Sequence, residues 1–329
     1  MNRLSSVEIC AGAGGQALGL ELVGFHHSTV VELEPIACAT LRLNRPKWNV
    51  QERDVRDLRG RDFKGVDLFA AGVPCPPFSI AGKQLGSDDD RDLFPTALRL
   101  IEESKPTGVL LENVPGLATA RFGQYRRRLI GRLVRLGYAV DWQILNACNF
   151  GVPQLRPRFI LVALRGKAAS RFAWPQPVGS PPTVGEVLRA LMESRGWRGA
   201  TSWAERARGI GPTLVGGSKK HGGPDVGPTR AREGWRVLGV DGLGIADEPP
   251  APDWPVNALP RLTVRMGAII QGFPEYWEFA GRKTAAWRQV GNAFPPPAAA
   301  AVGAAVRAAI RGEKPASQPE QFPFLLKEA

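Results

Sequence analysis

The stretch GVPCPPFS, residues 72–79, frames one cysteine with prolines: Pro74 precedes Cys75, and Pro76 and Pro77 follow it. Proline fixes φ and stiffens the chain on both sides of the sulfur. A cysteine that merely packs behaves as a small hydrophobe in an apolar strand or helix, and the settings of Cys10, Cys38 and Cys148 suit that role. Cys75 has loop-forming neighbours and follows a predicted strand, which is where open α/β sheets place their ligand sites. A thiol so aimed is a candidate nucleophile if its surroundings favour the thiolate. Glu112 is a second anomaly, because it closes the apolar run VLLE. A carboxyl at a buried strand end tends to keep its proton. It can then serve as acid and hydrogen-bond donor; its plainer role is to cap the following loop. The third is QLRPR, residues 154–158. Alternation in an extended chain puts Gln154, Arg156 and Arg158 on one face. That face needs an anionic or carbonyl-rich partner, or else it is a salt-bridged sheet edge.

A fourth group lies near the N-terminus. EICAGAGG places Gly12, Gly14 and Gly15 after the first apolar run, where glycine lets a ligand approach the backbone and the next helix pack closely. Glu32 ends the next strand, a position suited to accepting from ribose hydroxyls, and Asp54 in ERDVRDL could accept from an adenine amino group. The set suits an adenosine-containing cofactor and leaves NAD and S-adenosylmethionine both open. The GxGG spacing departs from the dinucleotide fingerprint GxGxxG.

These residues need a scaffold, and the first half of the chain supplies one. Short apolar runs at 5–10, 28–34, 66–72 and 107–113 alternate with helix-like stretches at 16–24, 35–44, 91–104 and 125–137, and two further strands are predicted at 138–147 and 158–165. Pro95 must then sit in the first turn of its helix, and Gly137 is a helix stop. Strand–helix alternation with apolar strands predicts a mostly parallel, doubly wound sheet. Past residue 172 glycine and proline become dense, tryptophans are scattered and the period fades, which predicts a loop-rich second domain. Helical order returns at 261–272 and 296–312.

Composition narrows the classes. The chain has 329 residues, 43% hydrophobic and 22% charged, and 43 Lys+Arg against 31 Asp+Glu give a net charge of +12. A basic surface gains affinity for polyanions by releasing counterions; a genome rich in arginine codons would also give this balance. No run of 18 uninterrupted apolar residues occurs, so no membrane span is expected. The start MNRLSSVEIC lacks a signal-peptide core. Four cysteines without a CxxC pair and three histidines argue against a zinc site and for reduced thiols in a cytoplasm.

Taken together, the motifs resemble the DNA cytosine-5 methyltransferases. In that family's usual order stand EICAGAGGQALGLE, VELEP, RDV, GVPCPPFSIAGKQLG, LLENVPGL, QLRPRFILV, a variable region, RLTVRMGAIIQGFPEYW and QVGNAFPPPAAAAV. The resemblance covers residues 5–165 and 261–310. It implies an α/β, doubly wound, Rossmann-like methyltransferase sheet in residues 1–172 and 286–312, a smaller loop-rich target-recognition domain in 173–285, and a tail in 313–329. It also implies S-adenosylmethionine as cofactor, held by Cys10, Gly12, Gly14, Gly15, Glu32, Leu33, Asp54, Val55, Pro74 and Asn292. Cys75 would add to C6 of a flipped-out cytosine, Glu112 would contact N3 and the amino group, and Arg158 would hold O2 with Arg156 nearby. Asn113 and Asn292 would fix loops rather than react. Ser79, Gln84, Thr213, Arg230 and Arg232 would meet DNA, with Lys219, Lys220, His221 and Arg236 also available to it, and Gly82 and Gly86 would hinge a loop.

Two departures concern the cofactor. The family usually has Phe where Cys10 stands and often an aromatic where Leu33 stands, which weakens adenine stacking. The expected enzyme is a cytoplasmic bacterial monomer acting on double-stranded DNA, with no metal and no membrane partner; the sequence leaves open both a restriction endonuclease encoded nearby and a solitary methylase. The rivals are an RNA-methylating relative, a DNA-binding module that kept the fold without the chemistry, and a dinucleotide oxidoreductase. The oxidoreductase would leave the proline-framed cysteine unexplained.

Overall fold

The structure, a computed structural model, describes residues 3–74, 92–216 and 224–314. Cys75, Ser79, Gly82, Gln84, Gly86, Lys219, Lys220 and His221 lie outside the described residues.

Apolar strands build one seven-stranded sheet from β1 (Leu4–Ile9), β2 (Phe25–Glu32), β3 (Val50–Glu52), β4 (Leu68–Gly72), β5 (Gly108–Asn113), β6 (Ala139–Asn146) and β8 (Pro157–Leu164), in the order β3-β2-β1-β4-β5-β8-β6. β1 pairs in parallel with β2 on one side and β4 on the other, and β4 pairs in parallel with β5. The strand order therefore reverses between β1 and β4, which opens a crevice beyond their carboxyl ends. β5 and β8 run antiparallel, so the sheet, expected to be mostly parallel, carries a reversed strand at β8. Helices α1 (Gly15–Leu22), α2 (Pro35–Asn44), α3 (Phe94–Ser104), α4 (Gly123–Arg135) and α10 (Pro296–Arg311) accompany the sheet. α2 spans the expected residues, Pro95 falls in the first turn of α3, and Gly137 adopts φ 88° just past α4, a conformation open to glycine without a Cβ clash.

The chain divides into two compact units. Among the described residues the first comprises 3–74, 92–145, 157–176 and 299–314, and the second comprises 146–156, 177–216 and 224–298. Residues 146–156 and 286–298 thus fall in the second unit, where the sequence reading had placed them with the sheet. The helical run 283–311 is apolar and long enough to cross a membrane by composition, but 83% of its most apolar window is buried inside the protein.

The second unit is more helical than its composition suggests. It holds α5 (Val184–Glu193), α6 (Ala200–Arg206), α7 (Thr229–Val237), α8 (Val264–Ile270) and α9 (Lys283–Asn292), with a two-stranded parallel pair of β7 (Gln154–Leu155) and β9 (Gly211–Pro212). Its core gathers Trp197, Trp203, Trp235 and Trp287, all almost fully buried. α7 was illegible because Trp235 is its one buried residue, and a single anchor leaves no period to read. α5 was legible in principle: Val184, Leu188 and Met192 are buried at four-residue spacing, and Thr183 with Glu186 forms a capping box.

Two buried ionisable groups lie on the adjacent strands β1 and β2 of the first unit. Glu8 of β1 is 1% exposed. Burial pushes its carboxyl up to about 8, with partial offsets from the Ala17 N–H and the Gln16 side chain. His27 of β2 donates its Nε2–H to the Ala17 carbonyl and accepts the Ser6 hydroxyl at Nδ1, both at 2.8 Å. Burial pushes this imidazole down to about 4. The folded chain refuses a proton at His27 that the unfolded chain takes, so this contribution is lost as pH falls from 6.5 towards 4. The folded chain keeps a proton on Glu8 that the unfolded chain releases, so that contribution is lost as pH rises from 4.5 to 8. Between pH 6.5 and 8 Glu8 acts alone of the two and removes about 2 kcal/mol. Thermal melts of Glu8→Gln are expected to lose that alkaline decline; melts that fall as steeply as those of the parent would show that Glu8 is already ionised in the fold.

Candidate active site

The carboxyl ends of β4 and β5 lie side by side, with Gly72 opposite Glu112. On the other flank β8 runs antiparallel and places Ile160 opposite Glu112 and Phe159 opposite Asn113. Arg158, at the start of β8, reaches Glu112: its Nε donates to Oε1 at 2.8 Å, with the side chains only 11% and 13% exposed. Arg158 Nη1 also donates to the Pro157 carbonyl at 2.8 Å. A Cβ built on Gly72 would stand 3.3 Å from the Cys10 carbonyl and 3.8 Å from Glu112 Oε2. The tighter of these is the contact with the Cys10 carbonyl, so glycine lets the end of β4 pass close to the backbone that leaves β1. The exit of β4 is held from β5, since Asn113, 2% exposed, donates its amide to the Val73 carbonyl at 3.1 Å. Pro74 follows, exposed, and Cys75 comes next in the chain. The structure thus gathers Glu112, Arg158 and the approach to Cys75.

Arg156 is not part of that group. It lies in the second unit with no exposed surface, and its guanidinium is spent on main chain: Nη1 donates to Leu214 O at 2.6 Å, and Nη2 donates to Gly291 O at 2.7 Å and Ala293 O at 2.9 Å. Gln154 completes the clamp by accepting from Leu214 N at 2.8 Å and donating to Gln271 Oε1 at 2.6 Å. The alternation expected of QLRPR holds in burial, because Leu155 is 47% exposed while Gln154, Arg156 and Arg158 are buried. Gln154 and Arg156 share a face, with Arg156 Nη1 donating to Gln154 Oε1 at 3.4 Å, while Arg158 pairs with Glu112 in the first unit. The guanidinium of Arg156 thus acts on main chain of the second unit.

The glycine turn after β1 is held from β2. Glu32 Oε2 accepts from Gly12 N at 2.7 Å, and Oε1 accepts from Leu33 N and Glu34 N at 2.8 Å each. A carboxylate offers about four acceptor positions, so room for a ribose hydroxyl remains beside these three backbone donors. Gly12 adopts φ 55°, and a Cβ there would meet nothing within 4 Å, while Gly14 caps α1 at φ 87° and Gly15 opens it. The turn is open over its backbone, as a cradle for a ligand must be. Cys10 also has positive φ, 54°. Burial, then the Glu32 and Asp54 charges, push its thiol above its ordinary value. Cys10 is therefore a neutral packing group. Asp54 is engaged on both oxygens by Arg56, through the backbone N–H at 2.9 Å and a forked guanidinium contact at 2.6–3.1 Å, which holds its carboxyl below the usual range. Val55 beside it is buried, and Leu33 is 56% exposed. An open turn, a carboxylate with spare capacity and an exposed apolar side chain fit an adenosine group.

Sequence reasoning missed the clamp around Leu214. Within the second unit Asn292 is exposed at the end of α9, and a Cβ on Gly216 would press within 2.3 Å of its Oδ1. Thr213, expected to meet DNA, donates its hydroxyl to the Leu155 carbonyl. Trp287 donates Nε1–H to both Val215 O at 3.1 Å and Asp225 O at 2.9 Å. Arg230 and Arg236 on α7 are exposed, and Arg232 is half-buried. A signal existed in the two glycines, Gly216 and Gly291, whose backbones approach too closely for any Cβ.

A family model described as C-5 cytosine-specific DNA methylase matches residues 4–308. The type II methyltransferase M.NaeI of Lentzea aerocolonigenes is 55% identical over 317 residues, covering 95% of this chain and 77% of that protein. M.NgoMIV of Neisseria gonorrhoeae is 49% identical over 314 residues, covering 94% and 99%. Among solved structures, a DNA modification methyltransferase encoded within an Escherichia coli prophage superposes with a TM-score of 0.66 at 22% identity over 94% of this chain and 100% of that one. A Spodoptera frugiperda DNMT2 variant gives 0.65 at 16% identity over 92% and 99%. At such identities the structures speak for the fold.

The ion pair has a consequence for stability. Removing one partner of a buried pair strands the other charge, at a cost of about 3 kcal/mol. Arg158→Met is expected to lose that much in denaturant melts, and Glu112→Leu/Arg158→Met to recover most of it. A double variant as unstable as the sum of the two single ones would mean that the side chains do not interact.

Proposed function

The chain belongs to the C-5 cytosine-specific DNA methylase family as a type II DNA (cytosine-5-)-methyltransferase, and on that premise we propose that it methylates C5 of a cytosine flipped out of a specific duplex sequence, through a covalent bond between Cys75 and C6. The observation that supports this reading best is the Glu112–Arg158 pair at the ends of β5 and β8, beside the strand exit that leads to Cys75.

Cytosine C5 is a weak nucleophile. Attack of the Cys75 thiolate on C6 forms the S–C6 bond and moves an electron pair towards C5, which makes C5 enamine-like. Glu112, held at Oε1 by Arg158, presents its carboxyl to N3 and the amino group and shares a proton as negative charge builds on the ring. Arg158 donates to O2 with the guanidinium capacity that Glu112 does not use. Gly12, Glu32, Leu33, Asp54 and Val55 would hold S-adenosylmethionine, whose sulfonium would supply the methyl to C5 and leave as the neutral thioether S-adenosylhomocysteine. Loss of the C5 proton then returns the electron pair and expels Cys75 as thiolate. Gly72 and Asn113 fix the strand exit from which the nucleophile is presented. The second unit reads the target, with Arg230 and Arg232 of α7 turned to DNA, and Arg156 keeps its main chain in place. The enzyme works as a monomer in a bacterial cytoplasm, paired with a restriction endonuclease of the same specificity.

A duplex with 5-fluorocytosine at the target tests the mechanism, because fluorine cannot leave as a cation. With S-adenosylmethionine present, the protein is expected to form a denaturant-stable adduct that maps to the peptide carrying Cys75. Cys75→Ser should form none while keeping its fold. Turnover on that duplex without an adduct, or a bond mapped to Cys148, would overturn the mechanism.

A further inference from the structure

α4 carries a run of charge that the reaction does not use. From Arg121 to Arg135 the chain has six arginines and no Asp or Glu. Three of the six have visible local work. Arg126 donates to the Leu117 and Thr119 carbonyls and lies 4.7 Å over the Trp142 ring, Arg132 pairs with Glu102, and Arg121 sits over Phe122. Arg127, Arg128 and Arg135 are exposed, and no carboxylate among the described residues pairs with them. Together with Gln124 and Gly131 they fall on one helix face, by the three- and four-residue spacing of neighbours on a helix. Like charges at that spacing destabilise a helix, so local folding does not account for the stripe.

The first turns of α4 are tied to the site end of the sheet. Arg126 grips the loop that follows Glu112 and Asn113. Tyr125, between Gln124 and Arg126, donates its hydroxyl to Asp92 Oδ2 at 2.6 Å. Asp92 directly follows residues 75–91, the stretch of sequence that carries Cys75. Arg128 follows Tyr125 by three residues, about one turn along α4. The stripe therefore begins near the Tyr125–Asp92 contact and continues to the last residue of α4.

We propose that Arg127, Arg128 and Arg135 on α4 bind the phosphate backbone of duplex DNA flanking the methylated sequence, adding affinity without adding sequence preference. The proposal rests on the reading of the chain as a duplex-DNA methyltransferase. The occupant follows from charge complementarity: duplex DNA presents about one negative charge per 1.7 Å of axis, and a row of exposed arginines without acidic partners matches it.

The experiment uses the full chain and two duplexes, one of about 40 base pairs with a central target site and one of about 14 base pairs spanning little more than the site. Affinity is measured against salt for the parent, for Arg127→Gln/Arg128→Gln/Arg135→Gln, and for Lys47→Gln/Arg61→Gln/Lys64→Gln, which removes equal charge from other exposed positions. For the α4 variant on the long duplex, the log–log salt slope is expected to shrink by about 2–3, near 0.9 for each lost phosphate contact. Its binding and 5-fluorocytosine adduct formation on the short duplex should match the parent, which also shows that it is folded. An unchanged slope on the long duplex would overturn the proposal, as would an equal loss in the control variant or on the short duplex. Failure of the parent to form an adduct with any duplex would instead overturn the functional reading on which it rests.

Discussion

The ion pair between Glu112 and Arg158 is the constraint around which the carboxyl end of β5 is arranged. Two nearly buried charges cannot be left without partners, because their lost hydration is costly and only good geometry offsets it. The antiparallel pairing of β5 and β8 supplies that geometry, since it brings the end of one strand to the beginning of the other. A parallel β8 would have delivered Arg158 to the opposite end of the sheet. The one reversed strand is therefore what allows an acid and a guanidinium to meet beyond the same carboxyl ends as the exits of β1 and β4.

The same logic, a charged side chain fastening backbone, recurs in both units. Glu32 gathers three N–H groups and sets the glycine turn between β1 and α1. Arg156 gathers three carbonyls and joins residues far apart in the second unit. Each supplies hydrogen-bond partners to several main-chain groups at once. A carboxylate suits the start of a helix, where N–H groups are free, and a guanidinium suits loops whose carbonyls face inward. Asp54 is different: its partner Arg56 is exposed and close in sequence, so the contact sets the orientation of a surface carboxylate and adds little stability.

Most of the first unit could be read from its residues. Apolar runs of strand length, proline at the start of α3 and glycine after α4 each have a local cause, and α2 spans its expected residues. The second unit resisted the same reading. Its helices are short, and α6 and α7 bury only two and one residues. Its tryptophans pack between elements and leave no period along any one of them. Positions 146–156 and 286–298 look continuous with the sheet in sequence, yet Arg156 and Gln154 draw them into the second unit.

By itself the sequence determined the conformations that depend on single residues: the glycine turn after β1, a carboxyl at the end of an apolar strand, and the order of strands and helices that makes a doubly wound sheet. Those follow from φ, from the missing Cβ and from hydrophobic period, which are local properties. Only the tertiary structure decided which partner each charged group took. Arg156 and Arg158 are separated by one proline and look alike in sequence, yet one holds Leu214, Gly291 and Ala293 and the other holds Glu112. The reason is that an ion pair or a carbonyl clamp is made with atoms distant along the chain, and their positions exist only once the strands and helices have packed.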